Sequence, residues 1–163
     1  MKAKIFEEMY GIPEIKEILI HPAFLSLGMY KHHGKISRLH HVLAVAEMTF
    51  SKAKTRNLDV ISATRAALLH DLYFYHRKPE KKGHIKMHPV IALQNAIMYF
   101  TLNEIEKDAI INHMWPLTRT RPRFKESRLV SSADKASAII DFRKTAGISM
   151  RTVKNRLRRK KAS

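Results

Sequence analysis

Ala66-Ala67-Leu68-Leu69 runs without a break into His70-Asp71. Four small or apolar residues at the end of a helical pattern belong in an interior. An interior makes the next two side chains costly unless something pairs with them. Neutral imidazole and carboxylate oxygen are both good ligands for a divalent cation, the usual partner of such a pair. One His-Asp pair occurs readily by chance, so the question is whether the rest of the chain supplies further ligands, and the remaining histidines and acids are the candidates.

Helical spacing dominates the rest of the chain. Ile5, Met9, Ile12, Ile15, Ile18 and Leu19 form a first run, broken in two by Gly11-Ile12-Pro13 and closed by His21-Pro22. Gly28 to Lys35 reads as a polar loop whose His32 and His33 are solvated. Ser37 is placed as a helix N-cap. Leu39, Val42, Leu43, Ala46 and Phe50 then mark a core-facing stripe, with His41 beside it. Asn57 or Asp59 caps the next helix, which passes through Ile61, Ala63, Ala67 and Leu68 to His70-Asp71.

From Tyr73 to Met87 the periodicity dissolves into a basic loop holding Pro79, Gly83, His76 and His84. His88-Pro89 is expected to open a helix, with proline at its favoured first position and Val90, Ile91, Leu93, Ala96, Ile97 and Phe100 on its apolar face. Asn103-Glu104-Ile105-Glu106 has the form of a capping box for a helix that ends near His113. Thr118 to Arg123 is a second basic loop. A last helix starts near Phe124 or Lys125 and carries Leu129, Val130, Ala133, Ala136, Ile139 and Ile140, with Asp134 beside that stripe. Lys135 or surface water could satisfy this carboxylate, and a cation is the other possibility. No period-two alternation marks a strand, so the expected fold class is all-α.

Composition narrows the function. A chain of 163 residues with 45% apolar content can bury the core of one domain. Without cysteine there is no disulfide, no thiolate zinc site and no cysteine nucleophile. No apolar run approaches the roughly 20 residues of a spanning helix, and the N-terminus does not read as a signal peptide. A cytoplasmic location fits these features. The net charge of +17 favours polyanionic partners. Nine Lys or Arg and no acid follow Asp141, so residues 143–163 read as a basic tail with a short amphipathic helix near Ser149. Such a tail can be a solvated run or a nucleic-acid or anionic-membrane contact.

In chain order the candidates are His41, His70-Asp71, His88, His113 and Asp134. This order resembles the HD-domain metal-dependent phosphohydrolase superfamily, through Arg38-Leu39-His40-His41-Val42-Leu43-Ala44-Val45, Ala66 to Asp71, and Ser132-Ala133-Asp134. His41 is taken over His40 because the family pattern places a valine four residues later, here Val45. The resemblance implies an HD domain over residues 1–142, with its core at about 36–142. It also implies a helical bundle with a metal centre in its interior. His41, His70, Asp71 and Asp134 would hold one ion, and Asp71 would bridge to a second held by His88 and His113. The extra histidines are placed as in two-metal members such as HD-type dinucleoside-polyphosphate hydrolases and cyclic-dinucleotide phosphodiesterases. The Gly-Tyr-Pro motif of one phosphodiesterase branch is absent.

Imidazole and carboxylate suit Fe, Mn, Zn, Co or Ni. Two such ions can activate water and clamp a phosphoryl oxygen. The expected function is hydrolysis of a nucleotide or another phosphate ester by a metal-activated water, with Asp71, His88 and His113 at the chemistry. With only one metal, His88 and His113 become acid–base or phosphate-binding residues. Arg38, Lys78, Lys81 and Lys135, with Lys82, Arg119, Arg121 and Arg123, are candidates to neutralise phosphate. Two alternatives remain: a di-iron oxygenase of the same fold, and a basic nucleic-acid-binding protein with a structural metal.

Overall fold

The computed structural model describes residues 2–33, 36–76 and 83–145, and nearly every segment with helical spacing is a helix in it. The first run becomes α1 (Lys2–Tyr10) and α2 (Pro13–Leu19), parted at Gly11-Ile12. Pro13 sits at the start of α2, where its missing N–H costs nothing. His21 does more than close the run: its Nδ1 accepts the Ala23 N–H and caps the short α3 (Pro22–Leu25).

The expected polar loop at 28–35 requires a correction. After a 3-10 turn (Ser26–Met29), β1 (Lys31–His33) pairs antiparallel with β2 (Ile36–Ser37). Strands of two and three residues are too short to show alternation, so periodicity does not reveal them.

α4 (Arg38–Thr55) begins at Ser37, whose Oγ accepts the His40 N–H at 3.2 Å. Val42, Val45, Ala46 and Phe50 are buried along it. Asp59, not Asn57, caps α5 (Val60–Leu69) by accepting the Ser62 N–H at 2.9 Å. Asn57 takes a positive φ of 50°, which asparagine tolerates better than most residues. Every residue of α5 from Ser62 to Leu69 is buried. Ala63, Ala66 and Ala67 are small enough for α2, α4 and neighbouring helices to close around it.

α6 (His84–Tyr99) starts a turn earlier than expected and encloses Pro89. The proline forfeits one backbone hydrogen bond. The turn before it is held by the Lys86 and Met87 N–H groups on Gly83 O, each at 3.0 Å. Gly83 has φ 102°, a conformation open to glycine. α7 (Glu104–Asn112) has its capping box: Asn103 accepts the Glu106 N–H at 2.9 Å, and Glu106 accepts the Asn103 N–H at 2.8 Å. Residues 118–123 are irregular, as expected, and α8 (Lys125–Thr145) follows.

α8 buries Leu129, Val130 and Ala133, but Ile139 and Ile140 are exposed, as is Ile97 of α6. These stripes are wider than the seams their neighbours cover. Among the described residues the architecture is all-α apart from the small hairpin, with α5 packed between α4, α7 and α8. No described helix is long and apolar enough to cross a membrane. Lys78, Lys81, Lys82 and the expected helix near Ser149 lie outside the described residues.

A buried arginine ties the bundle together at its far side. Arg65 of α5 donates through Nε to Glu106 of α7 at 2.6 Å and through Nη2 to Thr101 O at 3.0 Å. Its Nη1 reaches Glu14 O at 2.6 Å and the Glu17 carboxylate of α2. α5 is therefore held lengthwise against α2 and α7, which sets where its C-terminal end falls.

Candidate metal centre

Two helices deliver histidine at the same position. His70 is the C-cap of α5 and His113 the C-cap of α7. Carbonyls in the last turn of a helix lack intrahelical partners. His70 Nδ1 meets Ala67 O at 2.8 Å, and His113 Nδ1 meets Ile110 O at 2.7 Å. A carbonyl only accepts, so Nδ1 carries the proton in both rings and Nε2 is the nitrogen left to face the interior. Asp71 follows His70 directly, His41 lies in the first turns of α4, His88 in α6 and Asp134 in α8.

These six side chains converge. His41 Nε2 is 3.0 Å from Asp134 Oδ1, and His70 Nε2 is 3.7 Å from the same oxygen. Asp71 Oδ1 stands 3.5 Å from His88 Nε2 and 3.8 Å from His113 Nε2, and those two nitrogens are 2.9 Å apart. Ligand atoms of His41, His70 and Asp134 lie within 4.8 Å of one another, as do those of His70, Asp71 and His113. The His88 and His113 imidazoles thus both stand beside the same Asp71 oxygen.

Two buried polar atoms at the meeting point, His70 Nε2 and Asp71 Oδ1, have no hydrogen-bond partner. Leaving such groups unsatisfied costs about 1–3 kcal/mol each. A divalent cation satisfies both, so the donor set fits a metal. The chain has no cysteine, and the imidazole and carboxylate groups gathered here suit first-row transition ions.

The electrostatics agree. Burial alone would raise the Asp71 carboxyl, but the His70, His32 and His88 imidazoles outweigh it and hold it well below the usual carboxylate range. Burial opposes ionisation of Asp134 too, and is outweighed by its hydrogen bond with His41 and by the nearby His70 imidazole, which hold it well below the usual carboxylate range. Burial also works against a charged His41, yet Asp134 and Asp141 on its two nitrogens raise its pKa to about 9. His113 is pushed down to about 3 by burial and by its neighbour His70, so it stays neutral. The two carboxylates thus remain ionised and call for positive charge between them.

A pocket of about 240 Å³ opens onto this cluster. Asp71, His88, His113, Asp134 and Lys135 line its polar side, while Ile85, Met114, Leu117 and Ala138 form an apolar wall. Tyr73 also borders it, and burial together with the Asp71 charge pushes its phenol up, so it stays protonated. Lys135 reaches the rim with Nζ already bonded to His113 O, Ser131 O and Ser131 Oγ at 2.7–3.0 Å. It braces the end of α7 instead of pairing with Asp134.

Arg38 requires a second correction. It is fully buried, donating to Tyr73 O at 2.6 Å and Tyr75 O at 3.1 Å, with its guanidinium 3.5 Å from the Tyr73 ring centre. This arginine clasps the segment after Asp71 and is not available to a substrate phosphate. Asn95 assists by donating to Leu72 O at 2.8 Å.

Two residues of the site escape a reading of the sequence. His32, expected in solvent, has Nδ1 3.3 Å from Asp71 Oδ2 and its ring stacked on His41 at 3.8 Å. Asp141 meets His41 Nδ1 at 3.3 Å, across a separation of 100 residues. The one available signal is that each is a ligand-type residue at the margin of the motif.

The HD-domain family model matches residues 38–139 of the chain, and the protein belongs to this family. That family consists largely of metal-dependent phosphohydrolases. No curated protein and no solved structure shows significant similarity to the chain.

Proposed function

We propose that the protein is a metal-dependent phosphohydrolase acting on a nucleotide or other phosphate ester. The observation that carries this reading is the pair of bare buried atoms, His70 Nε2 and Asp71 Oδ1, inside a ring of four further ligand-type side chains. His41, His70, Asp71 and Asp134 would hold one ion, and Asp71, His88 and His113 a second. Fe, Mn, Zn, Co and Ni all suit these donors. A divalent ion there supplies Lewis-acid polarisation of a phosphoryl oxygen and makes water a stronger acid.

The chain's own groups do the rest. Asp71 presents one carboxylate oxygen to His88 and His113 and the other toward His32, so a single side chain spans the site. The last-turn carbonyls of Ala67 in α5 and Ile110 in α7 hold two imidazoles in the ligating tautomer before anything binds. Ile85, Met114 and Leu117 offer an apolar surface to the rest of the ester. Tyr73, buried and protonated, borders the same pocket.

The test is anaerobic turnover after reconstitution with Mn²⁺, Fe²⁺, Co²⁺, Ni²⁺ or Zn²⁺, over a panel of nucleotides and simple phosphate esters. Release of phosphate or nucleotide product, lost in His70→Ala and Asp71→Asn, is expected. A metal-loaded protein that hydrolyses nothing in the panel, or that forms product only while consuming oxygen, overturns the reading in favour of redox chemistry or a structural metal.

A further inference from the structure

The hairpin β1–β2 lies outside the residues matched to the family, yet it carries an imidazole into the centre. His32 lines the same pocket as Asp71, His88 and His113, and its side chain is 12% exposed. Its Nδ1 is 3.3 Å from Asp71 Oδ2, the carboxylate oxygen that His88 and His113 do not face. Its ring lies almost parallel to that of His41, 14° off at 3.8 Å, so its position is set by the packing of the strand against α4. Ligand atoms of His32, His41 and Asp71 lie within 4.8 Å of one another, a third group built like the two already described.

The distances decide what this imidazole can do. Two ligands each about 2.1 Å from one ion and at right angles stand about 3 Å apart. His41 Nε2 and Asp134 Oδ1 are at 3.0 Å, and His32 Nδ1 and Asp71 Oδ2 at 3.3 Å, so both pairs have this spacing. Four protein ligands at the first ion leave room for one more nitrogen, and His32 stands on the side where His41 and Asp71 meet.

Building on the metal-centre reading above, we propose that His32 is an additional nitrogen ligand of the ion held by His41, His70, Asp71 and Asp134, supplied by the hairpin from outside the matched domain. The competing role is a hydrogen bond that merely orients Asp71. A glutamine can reproduce that hydrogen bond, but it is a poor ligand for a transition ion.

Co²⁺ titration of the metal-free protein, followed by visible absorption and by calorimetry, separates these roles. Wild type, His32→Ala and His32→Gln are compared, with circular dichroism to follow helix content. Wild type should take up Co²⁺. Both variants should show a changed d–d band and weaken one binding event by at least about 100-fold, above the roughly 10–100-fold expected of a supporting partner. If His32→Gln restores the wild-type spectrum and affinity, His32 only orients Asp71 and the proposal fails. Wild-type behaviour in both variants also overturns it. Should His32→Ala lose helix content, the His32→Gln spectrum decides alone. If wild type itself binds no Co²⁺, the metal-centre reading falls first, which is a different result from loss of the His32 contribution.

Discussion

At the scale of single residues, the centre depends on side chains whose partners lie far away in sequence. Asp108 shows the same logic in the scaffold. Its carboxylate accepts the Arg123 N–H at 2.9 Å, the Asn112 side-chain amide at 2.9 Å and the Phe124 N–H at 3.4 Å. The two backbone bonds tether the residues just before α8 to the middle of α7. Burial alone would raise the Asp108 carboxyl; hydrogen bonding with Ser127, Arg123 and Asn112 outweighs it and lowers the pKa. A lowered folded-state pKa means that its contribution is present above the unfolded value of about 3.9 and fades as pH falls through the folded value. Asp108→Asn should therefore lose about 1–3 kcal/mol near neutral pH, and the gap to wild type should narrow below about pH 4. Urea denaturation across pH checks this. Arg38→Lys should also destabilise, by about 1.5–3 kcal/mol, because a lysine cannot reach Tyr73 O and Tyr75 O together. A rise in substrate KM without loss of stability would instead make Arg38 a phosphate ligand.

At this same scale the sequence is informative where chemistry is local and silent where it is not. His70-Asp71 is legible because an apolar run leads straight into it. His41, His88, His113 and Asp134 are legible only as an ordered set resembling a known family, since none alone distinguishes a ligand from a core or loop residue. His32 reads as solvated because a three-residue strand leaves no periodic trace. Asp141 gives no sign of its role because its partner His41 is 100 residues away. Arg38 reads as a phosphate ligand because a basic residue beside a site looks the same in sequence whether it faces a substrate or grips two backbone carbonyls.

At the scale of elements, what places the centre is how α5 and α7 end. Both terminate on a histidine folded back on its own last turn, and both are anchored through Arg65 and Glu106 at the other side. Glu106 has two duties, closing the α7 cap and pairing with a buried guanidinium. Glu106→Ala leaves that charge partly unpaired and should cost about 3–5 kcal/mol, against about 1 kcal/mol for Asn103→Ala, which loses a cap alone. Equal losses in chemical denaturation would show that the Arg65 pair contributes nothing beyond the cap. Most helix positions and caps are legible in the residues themselves, including Ser37 and the Asn103 box. The earlier start of α6 is hidden by Pro89, whose preference for a first turn outranks the weaker pattern of the turn before it.

At the scale of the whole molecule, the chain carries a net charge of +17. Seven of the basic residues fall in 146–163, beyond the described fold. Proposed as a separate polyanion-binding tail, this segment should be removable without affecting the centre. A protein ending at residue 145 should keep its metal affinity. Its association with single-stranded RNA should show a log K against log salt slope smaller by about 0.7 for each phosphate that the tail had neutralised. An unchanged slope would assign the polyanion affinity to the folded domain.

The central claim is that six side chains from five helical segments enclose transition-metal ions. Elemental analysis of protein reconstituted with Mn²⁺ or Co²⁺ and freed of excess ion tests it directly. The account predicts two ions per chain, with His70→Ala and Asp71→Asn both losing metal while helix content is kept. Wild-type protein that keeps its fold and retains no ion after reconstitution would contradict it.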